Sequence, residues 1–226
     1  MEGRISPQQS LEKLKEGNNR FINNVSTNRN LMEEAHNTSK KGQNPIAVVL
    51  TCLDSRSSAD IIFDQPIGGI FSARVAGNIV NEDILGSMEF ACDLSTASLV
   101  MVIGHSSCGA IEGAIGDGEK NEEGKLNNLT QLLGKIKPAI NAVHKPEDPK
   151  ERTNKNKKFV NRVIKENVVL TIEDIRKRSK TLSSLEKKGK IMIVGGVHDL
   201  SDGTIKYLED YNEIGSGRSN ENYKYI

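Results

Sequence analysis

Ile46-Ala47-Val48-Val49-Leu50-Thr51-Cys52-Leu53-Asp54-Ser55-Arg56 joins a short, β-rich apolar run to a group of chemically active side chains. A second stretch repeats the plan: Leu99-Val100-Met101-Val102-Ile103-Gly104-His105-Ser106-Ser107-Cys108-Gly109. Runs that are apolar at nearly every position fit strands buried on both faces, as in parallel sheets covered by helices. Residues 71–75 and 191–195 predict two further strands, giving about four core strands. Between them, residues 84–94, 129–143 and 159–188 carry apolar side chains at helical spacing, with Pro138 as a kink or restart. Strands alternating with helices predict an α/β fold: an open, mostly parallel sheet with right-handed crossovers, flanked by helices. In such sheets the active crevice lies outside the carboxyl ends of the strands, where both reactive groups fall.

Working outward, residues 6–24 predict a helix, with Ser6 as N-cap and Pro7 at the first helical position. Its narrow stripe of Leu11, Leu14, Phe21 and Ile22 needs a surface to lie on, a partner subunit being one candidate. Residues 27–44 are polar and helical only in part. Residues 109–118 start a helix and break it, 121–124 form a loop, and 145–156 form a charged surface loop. Residues 197–205 follow the last core strand, with a turn at Asp202-Gly203. There is no internal repeat and no linker rich in Gly, Ser or Pro. The expectation is a single domain over 1–226, with an N-terminal helical arm at 1–45 and an α/β core at 46–226 that includes a helical segment at about 121–190.

The chain has 226 residues, 31 basic and 30 acidic, for a net charge of +1. That balance gives no global attraction to nucleic acid or to an anionic membrane. The basic run at 155–158 lacks interleaved aromatics and reads as a solvated face. No stretch approaches the roughly 18 apolar residues that span a bilayer. The polar N-terminus does not read as a secretory leader, so a cytoplasmic location is expected, or a periplasmic one if a leader has been removed. Three cysteines are too few for a disulfide framework. Cys92 lies in an apolar helical stretch and reads as a small buried hydrophobe. His36, His144 and His198 read as surface or satisfied histidines.

Cys52, His105 and Cys108 offer two thiolates and an imidazole, which suit zinc and leave one position open for water. If residues 52–56 are extended, Cys52, Asp54 and Arg56 share a side, and Arg56 can grip the Asp54 carboxylate in a two-pronged hydrogen bond. Asp54 could then accept a hydrogen bond from a zinc-bound hydroxide, or swing onto the metal as a fourth ligand. Two blander readings stand beside this one. The first is a closed structural zinc site; the second is Cys52 or Cys108 as a metal-free nucleophile.

The Cys52-x-Asp54-x-Arg56 and His105-x-x-Cys108 motifs, with their spacing, resemble those of the β-class carbonic anhydrases. The resemblance continues through Ile62-Phe63-Asp64-Gln65, Ala73-Arg74-Val75-Ala76-Gly77-Asn78 and Gly86-Ser87-Met88-Glu89-Phe90. It extends to residues 11–21 and 193–200, and is weakest from about 121 to 190. It implies zinc on Cys52, His105 and Cys108, and reversible hydration of carbon dioxide to bicarbonate and a proton. In that scheme a zinc-bound hydroxide attacks the substrate, oriented by the Asp54–Arg56 dyad. It also implies a substrate pocket formed by Gln43, Phe71, Ala76, Phe90 and Gly109, with Phe90 coming from a partner subunit of a dimer or tetramer. Members regulated by bicarbonate carry tryptophan where Val49 stands, and this chain has no tryptophan. Arg74 is shared with that effector site, and many members have tyrosine where His198 stands. The rival activities are hydrolysis of carbonyl sulfide or carbon disulfide at the same zinc, and a non-catalytic, zinc-stabilised binding subunit.

Overall fold

The computed structural model describes residues 3–116 and 127–208. Helix α1 (Pro7–Ile22) and helix α2 (Leu31–Lys41) precede strand β1 (Ala47–Thr51). A short helix α3 (Ala59–Ile62) leads to β2 (Ile70–Arg74) and a 3-10 turn at Ala76–Asn78. Helix α4 (Glu82–Glu89) widens into a π turn at Phe90–Leu94, and β3 (Leu99–His105) follows. Then come α5 (Gly109–Ile115), α6 (Asn127–Gly134), α7 (Lys137–Ala142), α8 (Lys157–Arg178) and α9 (Lys180–Lys187). Strands β4 (Met192–His198) and β5 (Ile205–Tyr207) close the described chain.

The sheet has five strands in the order β2-β1-β3-β4-β5. The first four are parallel and β5 is antiparallel to β4, so the predicted open, mostly parallel α/β sheet is what forms. From β1 the chain steps one way to β2 and then crosses back to β3. This makes the cleft between the β1 and β3 ends the switch point where such sheets bind ligands. Cys52 follows β1 directly, and His105 is the last residue of β3.

Alternation along the strands divides the core. Val48, Leu50, Val100 and Val102 face a cluster with α4, α8 and α9. Ala47, Val49, Leu99, Met101 and Ile103 face Leu14, Ile62 and Phe63 from α1 and α3. Helix α8 lies close on the first face because the strands beneath it carry glycines. A Cβ on Gly104 would come within 2.9 Å of Val168, and one on Gly195 within 2.7 Å of Ile172 and Val168. A third cluster, from α5, α6, α7 and the first half of α8, roofs the strand ends and includes Cys52 and Cys108.

Two expectations gain detail. Helix α1 begins with the predicted cap, Ser6 and Gln9 forming a reciprocal capping box. Its apolar stripe, however, lies on its own chain: Leu14 is fully buried, and Ser10 Oγ meets Ser98 Oγ at 2.7 Å. Asn18 adds a polar latch, donating to the carbonyls of Ile62 and Gly203 and accepting from the Ile205 amide. Its own chain thus covers the middle of the helix, while Ile22 at its end stays exposed. Helix α2 has no buried residue and leaves Leu31 and Met32 exposed. The helical stretch at 159–188 is two helices, because Ser179 leaves helical geometry and caps α9 by accepting from the Leu182 amide. Pro138 restarts rather than kinks, lying in the first turn of α7. The loop expected at 121–124 lies outside the described residues.

Candidate metal centre

The β1 end delivers Cys52, and the β3 end delivers His105 and Cys108. All three are buried, and their ligand atoms lie within 4.8 Å of one another. Among the described residues this is the one such cluster. His105 Nδ1 is 3.0 Å from the Ser106 carbonyl. A carbonyl only accepts, so Nδ1 carries the proton and Nε2 presents a lone pair. That Nε2 is buried without a partner. Leaving such a group unmade costs about 1–3 kcal/mol, which a metal would remove. The two sulfurs stand 3.9 Å apart. Sulfurs about 2.3 Å from one ion at a tetrahedral angle would stand about 3.8 Å apart. The residues therefore fit a metal.

Charge is arranged to suit. The hydrogen bond between the thiols draws Cys52 down and pushes Cys108 up; burial opposes the first shift and reinforces the second. The pair gives up one proton easily and the other only with difficulty, which is the proton a cation would displace. Burial draws His105 down, but the neighbouring Cys52, the Ser106 carbonyl and Asp54 outweigh it and raise the imidazole. Cys92, outside this cluster, is pushed up to about 12, chiefly by burial, as a structural thiol should be.

Asp54 and Arg56 meet, but not by extended geometry. The chain turns at Ser55-Arg56: the Arg56 amide donates to Asp54 Oδ1 and the Ser57 amide donates to the Asp54 carbonyl. An aspartate that captures the amide two residues on is a turn former, and that preference overrides the strand reading. The turn brings the guanidinium onto the carboxylate, Nε to Oδ1 at 2.9 Å and Nη2 to Oδ2 at 2.7 Å. The Arg56 fork holds the Asp54 carboxyl well below the usual carboxylate range. Asp54 Oδ2 is 4.0 Å from His105 Nε2, so the ionised group borders the metal position.

The other predicted residues are spread around this centre. Ala76 opens the 3-10 turn whose next amide, that of Gly77, donates to Cys52 Sγ at 3.3 Å. Gly77 has φ +70°, and a Cβ there would meet Ile136 at 2.8 Å, so both conformation and space require glycine. Gly109 follows Cys108, with open space where a side chain would be. Phe71 and Phe90 contact edge to face at 6.2 Å, with Phe90 more than half exposed. Gln43 is exposed before the amino end of β1, opposite the end that carries Cys52, so one chain alone does not bring it to the centre.

Three features escaped the sequence reading. Arg74 donates to the carbonyls of Cys52, Leu53 and Asp54. Ser57, fully buried, hydrogen-bonds His198 Nδ1 at 3.0 Å. Gly77 supplies the amide to Cys52. Only the last had a local signal, a glycine-asparagine pair shortly after a strand.

Comparison with known proteins returns one family. The model of the carbonic anhydrase family matches residues 47–205. Carbonic anhydrase 2 of Mycobacterium tuberculosis is 29% identical over 212 residues, covering 93% of this chain and 97% of that one. The fold is similar to the β-carbonic anhydrase CcaA, with a TM-score of 0.68 at 23% identity, covering 88% of this chain and 95% of that one. It is also similar to one of two tetrameric β-carbonic anhydrases of Sordaria macrospora, with a TM-score of 0.62 at 21% identity, covering 79% and 92%.

Proposed function

This chain belongs to the β-class carbonic anhydrases, and from that premise we propose how its own residues hydrate carbon dioxide reversibly to bicarbonate and a proton. Cys52, His105 and Cys108 hold a zinc ion. When bound, zinc supplies the Lewis acidity that ionises a water near neutral pH. Asp54 accepts a hydrogen bond beside the metal and turns the nucleophile toward the substrate. With its carboxyl held far below neutrality it orients and does not itself store the proton. Arg56 fixes Asp54 in place and, being exposed, offers positive charge where anionic product leaves. The observation that carries this reading is the buried, unpartnered His105 Nε2 facing two sulfurs at metal-site spacing.

The site is read as open at rest, with Asp54 in the grip of Arg56 and off the metal. The bidentate pair supports this, as does the engagement of Arg74 with three carbonyls, which occupies the guanidinium an effector anion would need. Val49, where regulated members have tryptophan, is sealed in the core.

We also read the protein as a homo-oligomer, a dimer or tetramer. Strand β2 is a sheet edge, and Leu53, Phe90 and Leu94 are exposed. A second copy would cover them and complete an apolar pocket of Phe71, Ala76 and Phe90 suited to an uncharged substrate. Gln43 could enter that pocket only from such a copy. No helix among the described residues is long and apolar enough to cross a membrane.

The test is metal analysis with a stopped-flow carbon dioxide hydration assay on wild type and Cys52→Ala. About one zinc per chain with activity, both lost together in the variant, is expected. Full activity in a zinc-free Cys52→Ala protein would sink the assignment.

A further inference from the structure

Ser57 and His198 are 141 residues apart, and both are buried. His198 ends β4 directly beside His105 in the sheet register. Ser57 ends the turn that begins at Asp54, its amide closing that turn on the Asp54 carbonyl at 3.0 Å. The turn is thus pinned at its far end to the rigid sheet by the Ser57 Oγ–His198 Nδ1 bond, and at its near end by Arg74. Between the two pins lie Asp54 and Arg56, and among the described residues the hydrogen bonds of Arg56 run to Asp54 alone.

We propose that Ser57 and His198 form a positioning pair that holds the Asp54–Arg56 turn, so that the carboxylate stays in the arginine fork and off the metal. The inference rests on the metal-centre reading above and goes beyond it. Asp54 has two competing cations within reach: the guanidinium at 2.7–2.9 Å and the position marked by His105 Nε2, 4.0 Å from Oδ2. Moving the carboxylate onto the metal requires the turn to shift, and the turn cannot shift while Ser57 is anchored. Without the anchor the closed arrangement gains population, and every molecule in it lacks an exchangeable position on the metal. Substrate that rests in the apolar pocket and not on the metal favours neither arrangement, so turnover falls with the competent fraction while KM holds. An anion that needs the metal position binds only the open form, so its apparent affinity falls by the same fraction.

The experiment uses zinc-loaded, full-length Ser57→Ala, which removes one oxygen, together with His198→Phe, the double variant, and His198→Asn. Asparagine keeps a polar atom near the Nδ1 position. Hydration kinetics, zinc content and azide affinity of the cobalt-substituted protein, followed by visible absorption, are measured. Expected are kcat lower by about tenfold with KM within about twofold, unchanged zinc content and an azide affinity weakened in proportion. The double variant should be no worse than either single one, and His198→Asn should restore most of the loss. Unchanged kcat and azide affinity in Ser57→Ala would overturn the proposal alone, as would loss of zinc with activity or additive single variants. A wild-type protein with neither zinc nor hydration activity would overturn the metal-centre reading and this proposal together.

Discussion

Cys52 and Cys108 come within 3.9 Å of each other on loops built in opposite ways. The loop after β1 is held by side chains and amides from distant elements: Arg74 of β2 on three carbonyls, Gly77 on the Cys52 sulfur and His198 of β4 on Ser57. The loop after β3 is held largely through its own backbone. The Ser106 amide donates to the His198 carbonyl, Ser107 takes a left-handed φ of 54°, and Cys108 passes directly into α5. On the proposed function the first loop carries an ionised pair set between two cations, which is why a placement fixed from several sides would matter there. The second carries His105 and Cys108, two proposed ligands with no competing choice, and the strand end and helix start are enough to place it.

Variants rank the two loops by what each loses. Alanine at Cys52, His105 or Cys108 should abolish zinc binding and lower the hydration rate by at least about a thousandfold, because either loop alone supplies too few ligands. Metal analysis beside the rate assay checks this, and retained zinc in any one variant would break the symmetry of dependence on both loops. Asp54→Asn should keep zinc yet cost about a hundredfold in rate, with Arg56→Ala similar and the double variant not additively worse. Clear additivity would mean that the two residues act separately. Arg74→Met should lower stability by about 1–2 kcal/mol in denaturant, discounted for its exposure, and weaken zinc affinity. Ser106→Ala, which loses only the bond to the Leu200 amide, should cost about 1 kcal/mol or less. Equal losses from these two would refute the contrast between side-chain and backbone support.

The smallest effect on activity is expected outside both loops. Asp64 is nearly buried beneath the arm; burial alone would raise its pKa, but the Arg20 and Thr27 hydrogen bonds outweigh burial and lower it. A folded pKa below the unfolded value gives a stability contribution that is whole above about pH 4 and is lost as pH falls below that. Asp64→Asn should therefore be less stable than wild type at neutral pH. The difference should shrink on acidification, and the neutral hydration rate should stay within about twofold.

How far the sequence could be read follows from how local each cause is. The strands and the clustering of Cys52, His105 and Cys108 were legible because reactive residues directly follow long apolar runs. Pairing of Asp54 with Arg56 was legible, but the turn that makes it was not, because an alternating pattern says nothing about an Asp side chain capturing an amide. The α8–α9 break hid because Ser179 interrupts the geometry without interrupting the apolar periodicity. Helix α1 showed its stripe but not what covers it, since the latch from Asn18 to Gly203 spans 185 residues. Strand β5 is three residues long, too short to leave a pattern, and the Ser57–His198 bond has no sequence trace for the same reason of distance.

The glycines beneath α8 bear on how such an enzyme could be remodelled. With Gly104 and Gly195 leaving no space for even one added carbon, the helix rests almost on the backbone of the strands whose ends present His105 and His198. A random library would find this floor intolerant of alanine at positions well away from any chemistry. Changes in substrate size would have to come from the rim instead, where Phe90 and Leu53 are exposed and Gly109 leaves open space. Selection for new linear electrophiles would thus act on a ceiling that can be rebuilt above a foundation that cannot.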